Sequence, residues 1–462
     1  MDQATSTATR ARRGDQLTLT VDTLAYGGAG VARHEGYVVF VQGGIPGDTV
    51  RVEVGRAKRA YAEARVLEVV SPSPDRIEPR AQHPGAPWQV IPYAKQLEIK
   101  AAQVDDALRR IGRLDGYTLE PIVPAEQEWR YRNKLEYSFG KDESSRLICG
   151  FHAPGRWEEI VEVTDCMLAS ERGNQAREEV VAWCRAQGLE PYDRRSNQGF
   201  LRNLVVREGR RSGDIQARLV TAPLRSAGGA GAFDRESFAA AVPTADGLLW
   251  TRLESVAETT AGGQTELLAG VDRLEEQLGG LQLSISGEAF FQTNTEMAER
   301  LYALAIEYAR LRGYERVYDL YCGIGTIGLL MAPRAAELWG LELVEDAISD
   351  AIANARRNEI DNARFFAGDV RLALRELVEK AGRPDVLVVD PPRAGLSQKV
   401  VRRIIEAAPK RIVYVSCNPT TLAPNAAQLV EAGYELTKVR PVDMFPQTPH
   451  IECVAQLERA SG

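Results

Sequence analysis

One cysteine lies where an apolar strand of the sequence should end. In RIVYVSCNP, residues 412–415 are predicted to form a central strand, and Pro419 cannot continue the ladder, so Cys417 falls just past the carboxyl edge. Open α/β sheets bind their ligands at that edge. A single cysteine is more often a small core residue than a nucleophile. Cys417 is therefore a candidate nucleophile whose assignment depends on the neighbouring motifs.

A glycine turn and three acidic residues follow other predicted strands of the same region. In DLYCGIGTIGLL, Gly323 permits a tight turn and a close backbone approach before a helix opens. Glu342 ends the next strand, where a carboxylate can accept both hydroxyls of a ribose, and Asp369 and Asp390 follow the third and fourth strands. The pattern indicates an adenosine-type ligand. The DPPR loop at Asp390 favours S-adenosylmethionine over NAD, and the alternative is another Rossmann-type fold with similar loops.

A thiol beside a methyl donor indicates chemistry on a pyrimidine ring. Carbon 5 of uracil becomes nucleophilic after a thiolate adds to carbon 6, and a base must remove the carbon 5 proton after methylation. In HIEC, Glu452 begins an apolar strand, where a carboxylate costs stability unless it is paired or used. Glu452 is therefore a candidate for this base. A glutamate at a surface edge has the same local pattern, and His450 is a second candidate base.

Several segments of the chain, which differ in the periodicity of their apolar residues, must position these candidate residues. Residues 1–14 are predicted to be a flexible tail, and short alternating runs over 15–72 predict an OB-like antiparallel barrel. Residues 120–270 mix strand and helix patterns and predict a central α/β domain. From Gln282 onward apolar strands alternate with helices, which predicts a doubly wound parallel sheet. The predicted fold class is α/β.

A predicted strand in the central region carries basic residues on one face. EWRYRNKLEYSFG, at 128–140, alternates strictly, with Arg130, Arg132 and Lys134 on one face and aromatic and apolar residues on the other. Basic and aromatic faces suit RNA. A strand that buries its aromatic residues and solvates its arginines has the same pattern, so RNA binding is one of two interpretations.

The composition excludes several classes of protein. Hydrophobic residues form 44% and charged residues 26% of the 462-residue chain, as in globular proteins, and no stretch reaches the roughly 18 apolar residues of a membrane span. The six cysteines show no zinc-ligand spacing, so no metal site is expected. The first residues lack the apolar core of a secretion signal, and a cytoplasmic protein is expected. The net charge of -7 still allows a local basic surface for nucleic acid.

Several motifs occur together, and in the same order, in one known family. FFQTN at 290–294, DLYCGIGTIGL, DPPRAGL, VYVSCNPTTLA and HIEC, with YRNK and a TRAM-like N-terminal barrel, make the chain resemble the bacterial RNA (uracil-5-)-methyltransferases. The resemblance implies that Cys417 is the nucleophile and Glu452 the proton-abstracting base. It also implies a set of residues that hold S-adenosylmethionine, namely Gln292, Tyr321, Glu342 and Asp390. Arg393 of the DPPR loop is expected to contact RNA.

The same resemblance implies a division into domains. A TRAM barrel for RNA binding occupies 15–72, and a central RNA-binding domain is formed by 73–92 and 120–270. A helix near 93–115 is expected to pack on the catalytic domain. The Rossmann-like methyltransferase domain, dependent on S-adenosylmethionine, would then consist of 93–119 and 271–462.

The sequence departs from the family at an iron-sulfur site. Many members carry cysteines in C-x-H-x-G-x-C-G-G-C and a fourth near DCMLA, whereas this chain reads RAQHPGAPWQ, with Ala81 at the first ligand position. Cys166 alone is left, and one thiolate cannot hold such a cluster. No iron-sulfur cluster is therefore expected, and Cys166 is expected to be structural.

The barrel favours 23S ribosomal RNA as the substrate, because the family's tRNA enzymes usually lack it. Methylation of uracil in tRNA and methylation of cytosine are the enzymatic alternatives. A noncatalytic RNA-binding or ribosome-assembly factor of the same fold is a third, and the joint presence of Cys417 and Glu452 argues against it. The protein is expected to act as a monomer, with no membrane partner.

Overall fold

A computed structural model describes residues 10–223, 233–255 and 259–460. Within these ranges the chain forms a closed barrel, a seven-stranded sheet, a two-stranded hairpin and an eight-stranded sheet. No helix in these ranges is long and apolar enough to cross a membrane. Residues 1–9 of the predicted tail lie outside the described residues, whereas Ala11 is buried against the barrel core.

The N-terminal barrel consists of strands whose alternate residues point inward. Its strands are β1 (Gln16–Leu24), β2 (Gly30–His34), β3 (Tyr37–Gln42), β4 (Thr49–Ala57) and β5 (Tyr61–Ser71). In β4, Val50, Val52 and Val54 are buried while the residues between them are more exposed, as the alternation of the sequence predicts. The strand order β1-β2-β3-β5-β4 closes the sheet and removes its open edges. The predicted barrel is confirmed.

A helix leads from the barrel to the C-terminal sheet. This helix, α1 (Tyr93–Asp106), continues as a π-helical turn (Ala107–Ile111) and is followed by the short strand β6 (Thr118–Leu119). Val104 and Leu108 are fully buried in the same core cluster as residues of the C-terminal sheet. The segment therefore packs on that sheet, although the barrel and the central sheet flank it in the chain.

The central sheet packs against two helices. Its elements are β7 (Lys134–Lys141), β8 (Leu147–Ala153), β9 (Arg156–Glu162), α2 (Glu171–Ala186), β10 (Leu201–Glu208), β11 (Ile215–Thr221), α3 (Arg235–Ala241), β12 (Gly247–Arg252) and β13 (Gln264–Gly270). The strand order is β13-β12-β11-β10-β7-β8-β9. Val180 of α2 and Phe238 of α3 lie in one core cluster with Leu204 of β10. The predicted central α/β arrangement is present.

The strand predicted over 128–140 begins later than expected. β7 starts at Lys134, and Arg130 has a left-handed backbone with φ of 53°. Residues 130–133 precede the strand, and the backbone at Arg130 is left-handed, so Arg130 and Arg132 do not share a strand face with Lys134. The prediction of one continuous basic face is wrong. The aromatic side does face the core, where Tyr137 is fully buried.

The C-terminal part consists of a hairpin followed by strands and helices in alternation. The hairpin is β14 (Arg273–Leu278) and β15 (Leu281–Ser286). The first half of the alternating part is α4 (Thr295–Ala309), β16 (Arg316–Leu320), α5 (Thr326–Met331), a 3-10 turn (Ala332–Arg334), β17 (Glu337–Glu342), α6 (Glu345–Arg357) and β18 (Ala363–Ala367). The second half is α7 (Val370–Ala381), β19 (Val386–Val389), α8 (Gln398–Ala407), β20 (Arg411–Ser416), α9 (Pro419–Glu431), β21 (Tyr434–Val442) and β22 (Glu452–Arg459).

The topology of this sheet collects the predicted site residues at one edge. The strand order is β18-β17-β16-β19-β20-β22-β21-β6, with β16 to β20 parallel and β22 antiparallel to β20. The order reverses between β16 and β19, and ligands bind outside the carboxyl ends of strands at such a point. Because β22 runs in the opposite direction, it begins at this edge. The predicted doubly wound α/β fold is confirmed.

A buried ion pair attaches α1 to the C-terminal sheet. Lys100 Nζ lies 2.6 Å from Asp443 Oδ1 and donates to Phe445 O at 3.0 Å, and the side chains of Lys100 and Asp443 are both fully buried. Burial lowers the pKa of Lys100, and the charge of Asp443 opposes that effect. A buried charge is costly without its partner, so the pair fixes α1 on the segment that leads into β22.

We expect Lys100→Met to destabilise the protein, because Asp443 would be left buried without its partner. The expected loss is about 3–5 kcal/mol in the free energy of unfolding. Lys95→Met on the same helix is the control, because Lys95 forms only exposed pairs with Glu98 and Asp75. Urea unfolding followed by circular dichroism measures both, and equal unfolding midpoints for the two variants would contradict the role given to the buried pair.

Candidate active site

The pairing of the last strand brings Cys417 and Glu452 together. β20 and β22 are antiparallel, and the outermost pair in register is Ser416 with Cys453. Cys417 and Glu452 are the next residues outward, so they lie at neighbouring strand ends of the same sheet edge, and the charge of Glu452 acts on the Cys417 thiol. Cys417 is partly buried, and Glu452 is only 4% exposed.

The Ser-Cys-Asn-Pro loop is shaped by its own side chains. Asn418 caps α9 by accepting a hydrogen bond from Thr420 N at 3.0 Å, and Pro419 occupies the first turn, where no N–H is needed. Asn418 Nδ2 also donates to Arg393 O at 3.0 Å, which ties this loop to the DPPR loop after β19. The sharp turn from β20 into α9 therefore leaves Cys417 at the sheet edge.

Burial and neighbouring carboxyl groups act on the thiol of Cys417. Burial, Glu452 and Asp390 together raise the pKa of Cys417 to about 12, and Arg393 opposes them. Burial raises the pKa of Asp390 to about 7. Burial, and then Asp390, raise the pKa of Glu452 well above its ordinary value. Carboxyl groups with raised pKa values therefore lie beside the thiol, as proton transfer requires.

His450, the second candidate base, is directed toward an arginine. Arg393 Nη2 and His450 Nδ1 are 3.4 Å apart, and the His450 ring meets the ring of Phe445 edge to face. Burial, followed by the charges of Arg393 and Arg132, lowers the pKa of His450 to about 4. His450 is therefore neutral at neutral pH and a weak base, which leaves Glu452 as the better candidate.

The carboxyl ends of β16, β17 and β19 carry predicted cofactor residues. Tyr321 and Gly323 follow β16 with left-handed φ angles of 62° and 53°. Gly323 N donates to Glu342 Oε2 at 3.2 Å, so the turn meets the end of β17. A Cβ at Gly323 would meet no atom within 4 Å, so the turn faces open space. Asp390 N donates to Leu320 O at 3.4 Å, which places Asp390 next to this turn.

Gln292 and Asp369 lie on two further loops. Asn133 Nδ2 donates to Gln292 O at 2.9 Å and to Thr295 Oγ1 at 2.8 Å, so the YRNK and FFQTN segments are joined there. Gln292 is 6% exposed. Asp369 caps α7 and, after burial, is the next cause of the raised pKa of Tyr321. Asp369 therefore belongs to the same sheet edge.

The structure places two further residues at the site, Asp319 and Tyr26, which were not predicted from the sequence. Asp319 in β16 is buried, its Oδ2 accepts from Gly328 N at 2.9 Å, and burial raises its pKa to about 8. An acidic residue inside an apolar strand was the available signal for Asp319. Tyr26 of the barrel donates its hydroxyl hydrogen to Cys417 O at 2.9 Å. No local pattern indicates that contact.

Two of the predicted RNA-binding residues are engaged with carboxylates. Arg130 pairs with Asp165 at 3.0 Å, and Lys134 pairs with Glu136 at 2.8 Å. Both pairs lie on or beside the central sheet. The described hydrogen bonds do not connect Arg130 or Lys134 to the loops around Cys417.

The other two predicted RNA-binding residues lie beside His450. The guanidinium of Arg132 is 5.7 Å from the centre of the Phe445 ring. Arg132 and Arg393 both lower the pKa of His450, after the effect of burial. Arg393 is exposed, so its charge is available to a ligand next to Cys417.

The region of the missing iron-sulfur ligands contains a buried thiol and one imidazole. Cys166 Sγ lies 3.3 Å from His83 Nε2, and both residues are buried. Burial lowers the pKa of His83 to about 4. Over 10–223, 233–255 and 259–460 no group of His, Cys, Asp and Glu side chains is arranged to hold a metal ion.

The charge of Arg393 generates a prediction about thiol reactivity. We expect Arg393→Met to slow alkylation of Cys417 about two- to fivefold at pH 8 and to move the rate profile to higher pH, because loss of the cation raises the thiol pKa. Arg393→Lys, which keeps the charge, is the control. Mass spectrometry after iodoacetamide treatment measures the rates, with the buried cysteines as internal references. Unchanged pH profiles would contradict the charge effect.

Comparisons with known proteins find relatives of this chain by sequence and by fold. The family model described as tRNA (Uracil-5-)-methyltransferase matches residues 273–460, and the model for the TRAM domain matches residues 10–67. A solved structure similar to the chain is the tRNA (uracil-54, C5)-methyltransferase of Pyrococcus abyssi in complex with S-adenosyl-L-homocysteine. It is 27% identical, with a TM-score of 0.74, over 96% of this chain and 100% of that one.

Similar curated proteins are RNA methyltransferases of bacteria. An uncharacterized RNA methyltransferase of Halalkalibacterium halodurans is 36% identical over 96% of this chain and 97% of its own length. Another from Chlorobaculum tepidum is 36% identical over 98% of both chains. With its sheet topology, its barrel and the residues at its sheet edge, the chain belongs to the RNA (uracil-5-)-methyltransferase family with an N-terminal TRAM domain.

Proposed function

We propose that the protein transfers a methyl group to carbon 5 of a uracil in RNA, with 23S ribosomal RNA as the substrate and S-adenosylmethionine as the methyl donor. The observation that carries this proposal is the position of Cys417 and Glu452 directly beyond the Ser416–Cys453 pair, at the sheet edge that also holds Gly323 and Asp390. A nucleophile beside a base suits addition to, and elimination from, the 5,6 double bond of a pyrimidine.

The edge of β16 and β17 fits the methyl donor. The turn at Gly323 faces open space, and Glu342 ends β17, where its carboxylate can accept ribose hydroxyls. Leu343 and Val344 are exposed beside Glu342 and offer apolar surface to an adenine ring. The other residues that would hold the donor are Gln292, Tyr321, Asp369 and Asp390. When bound, S-adenosylmethionine supplies an electrophilic methyl group.

Cys417 begins the proposed reaction. Its proton moves to a neighbouring carboxylate, its sulfur forms a bond to carbon 6, and the electron pair of the double bond moves toward carbon 5 and the adjoining carbonyl. The pKa of Asp390, raised by burial to about 7, suits that group to take the proton near neutral pH. The charge of Arg393 favours the thiolate. Carbon 5 is then nucleophilic and becomes methylated.

Glu452 completes the proposed reaction. Its carboxylate takes the proton that carbon 5 still carries, the electron pair restores the 5,6 double bond, and the sulfur of Cys417 leaves as a thiolate. Burial beside Asp390 raises the pKa of Glu452, which makes its carboxylate a stronger base than an exposed one. One proton leaves carbon 5 for each methyl group gained.

The remaining chain would hold the RNA. A uridine in folded RNA must be unstacked before it can reach Cys417. Arg132 and Arg393 are suited to phosphates near the site, whereas Arg130 and Lys134 would have to exchange carboxylate partners for phosphate. We assign RNA binding to the barrel (15–72) and the central domain (73–92 and 120–270) and catalysis to 93–119 and 271–462. A monomer acting in the cytoplasm is part of the proposal.

Transfer RNA is the second candidate substrate. The similar Pyrococcus abyssi protein is a tRNA (uracil-54, C5)-methyltransferase, and the alignment covers 96% of this chain. The N-terminal barrel is the feature that favours 23S ribosomal RNA over tRNA.

The proposed function is tested with labelled S-adenosylmethionine and separate pools of unmodified ribosomal RNA and tRNA. We expect label in 23S ribosomal RNA as 5-methyluridine, mapped by mass spectrometry. Label in tRNA alone would keep the chemistry and replace the substrate. Label on cytosine, or in neither pool although RNA is bound, would contradict the proposal, and the second result would favour a noncatalytic RNA-binding factor.

The roles of Cys417 and Glu452 predict different defects. Cys417→Ala should abolish methylation and any covalent RNA complex. Glu452→Gln should lower turnover by about 100-fold or more and accumulate a covalent complex with methylated RNA, because elimination needs the base. Cys453→Ala, beside Glu452 in β22, is the control and should keep activity. Denaturing gels with labelled RNA detect the complex, and a covalent complex formed by Cys417→Ala would contradict the assignment.

A further inference from the structure

A loop of the barrel reaches the proposed catalytic cysteine. Tyr26 lies in the YGGAG turn between β1 and β2, and its hydroxyl donates to the backbone carbonyl of Cys417 at 2.9 Å. These residues are 391 positions apart in the chain. The ring of Tyr26 also packs against the core cluster of the C-terminal sheet. The barrel, whose expected task is to grip RNA, therefore contacts the residue that would attack the base.

The turn is attached to its surroundings on both sides of Tyr26. Gln103 Nε2 of α1 donates to Leu24 O at 3.1 Å and to Ala25 O at 3.2 Å. On the other side, a Cβ placed at Gly28 would come within 2.9 Å of Pro449, which precedes β22. The turn thus contacts both α1 and the segment that leads to Glu452. Its position relative to Cys417 is set by packing and does not depend on the tyrosine hydroxyl alone.

The surroundings of Tyr26 keep its hydroxyl a donor. Burial raises the pKa of Tyr26 to about 12, with Cys417 raising it and Arg393 lowering it. The phenol therefore keeps its hydrogen at neutral pH. Its partner is the carbonyl of the nucleophile's own residue, so the bond orients the peptide plane that begins at the Cα of Cys417, the atom from which the thiol side chain extends. A hydrogen bond to this carbonyl helps to set the direction in which the thiol side chain leaves the backbone. Attack on carbon 6 of the uracil depends on that direction.

We propose that Tyr26 is a positioning residue for Cys417, so that the N-terminal barrel sets the rate of covalent attack on the uracil as well as the affinity for RNA. This inference rests on the proposed function, because it assigns Tyr26 a role in that reaction. It goes beyond that function by making the barrel part of the catalytic machinery. Tyr26 does not take part in proton transfer, and a phenylalanine would keep its packing but lose the bond.

Tyr26→Phe tests the proposal against a closely matched control. Tyr434→Phe removes the same kind of bond, from a tyrosine hydroxyl to the carbonyl of Pro409 at 2.9 Å, and burial likewise raises the pKa of Tyr434 to about 12. Pro409 precedes β20, so the control lies at the opposite edge of the sheet from Cys417. A general effect of losing a buried hydroxyl should appear equally in both variants.

The readouts separate positioning from RNA binding. RNA that contains 5-fluorouridine cannot lose its carbon 5 substituent, so the covalent complex accumulates and its rate of formation can be measured in a single turnover. We expect Tyr26→Phe to slow that rate and kcat about tenfold while the Kd for RNA changes less than about twofold. Tyr434→Phe should match the parent protein in all three quantities.

Each outcome decides one question. An equal rate of complex formation in Tyr26→Phe and Tyr434→Phe, or a defect only in Kd, would overturn the positioning role. If Tyr26→Phe does not fold, Gln103→Met replaces it, since it loosens the same turn without touching Cys417, and a normal rate in that variant would overturn the proposal. Absence of a covalent complex in the parent protein, with RNA bound, would count against the proposed function itself.

Discussion

The antiparallel pairing of β22 with β20 is the constraint on which the active site depends. Parallel strands all end at the same sheet edge, but the chain after β20 passes through α9 and β21 before it returns. Only a strand that runs the other way can begin at that edge beside Cys417. The register of Ser416 with Cys453 then makes Glu452 the neighbour of the thiol. A shift by one residue would turn the carboxylate to the other face.

Burial of the carboxyl groups of Asp390 and Glu452 raises their pKa values, which suits them to proton transfer but lowers the stability of the folded chain. A carboxyl group whose pKa is raised on folding holds a proton that the unfolded chain releases. The pKa of Asp390 rises on folding from its ordinary value of 3.8 to about 7. The contribution of Asp390 to stability therefore falls as the pH rises between these two values. Contacts elsewhere must offset this cost. The apolar strands β19 and β20, whose side chains are almost completely buried, provide part of that compensation.

Long-range contacts join the three parts of the molecule around the same edge. The ion pair of Lys100 with Asp443 holds α1 against the segment before β22, and Asn133 holds the start of the central sheet to the loop of Gln292. The hydrogen bond from Tyr26 to the carbonyl of Cys417 attaches the barrel to the same sheet edge. Each of these contacts ends on a segment that carries a proposed catalytic or cofactor residue or leads directly to one. Displacement of the barrel or the central sheet would therefore move the loops that hold Cys417 and the cofactor residues.

The sequence alone determined the fold class, the barrel and the candidates Cys417 and Glu452, because strand periodicity, glycine turns and the order of motifs are local properties. It could not show that Arg130 has a left-handed backbone and lies before β7, since a left-handed residue other than glycine has no clear sequence signal. Nor could it place Tyr26 against Cys417. Such contacts follow from how separate elements pack, and packing between residues hundreds of positions apart is decided only when the chain folds as a whole.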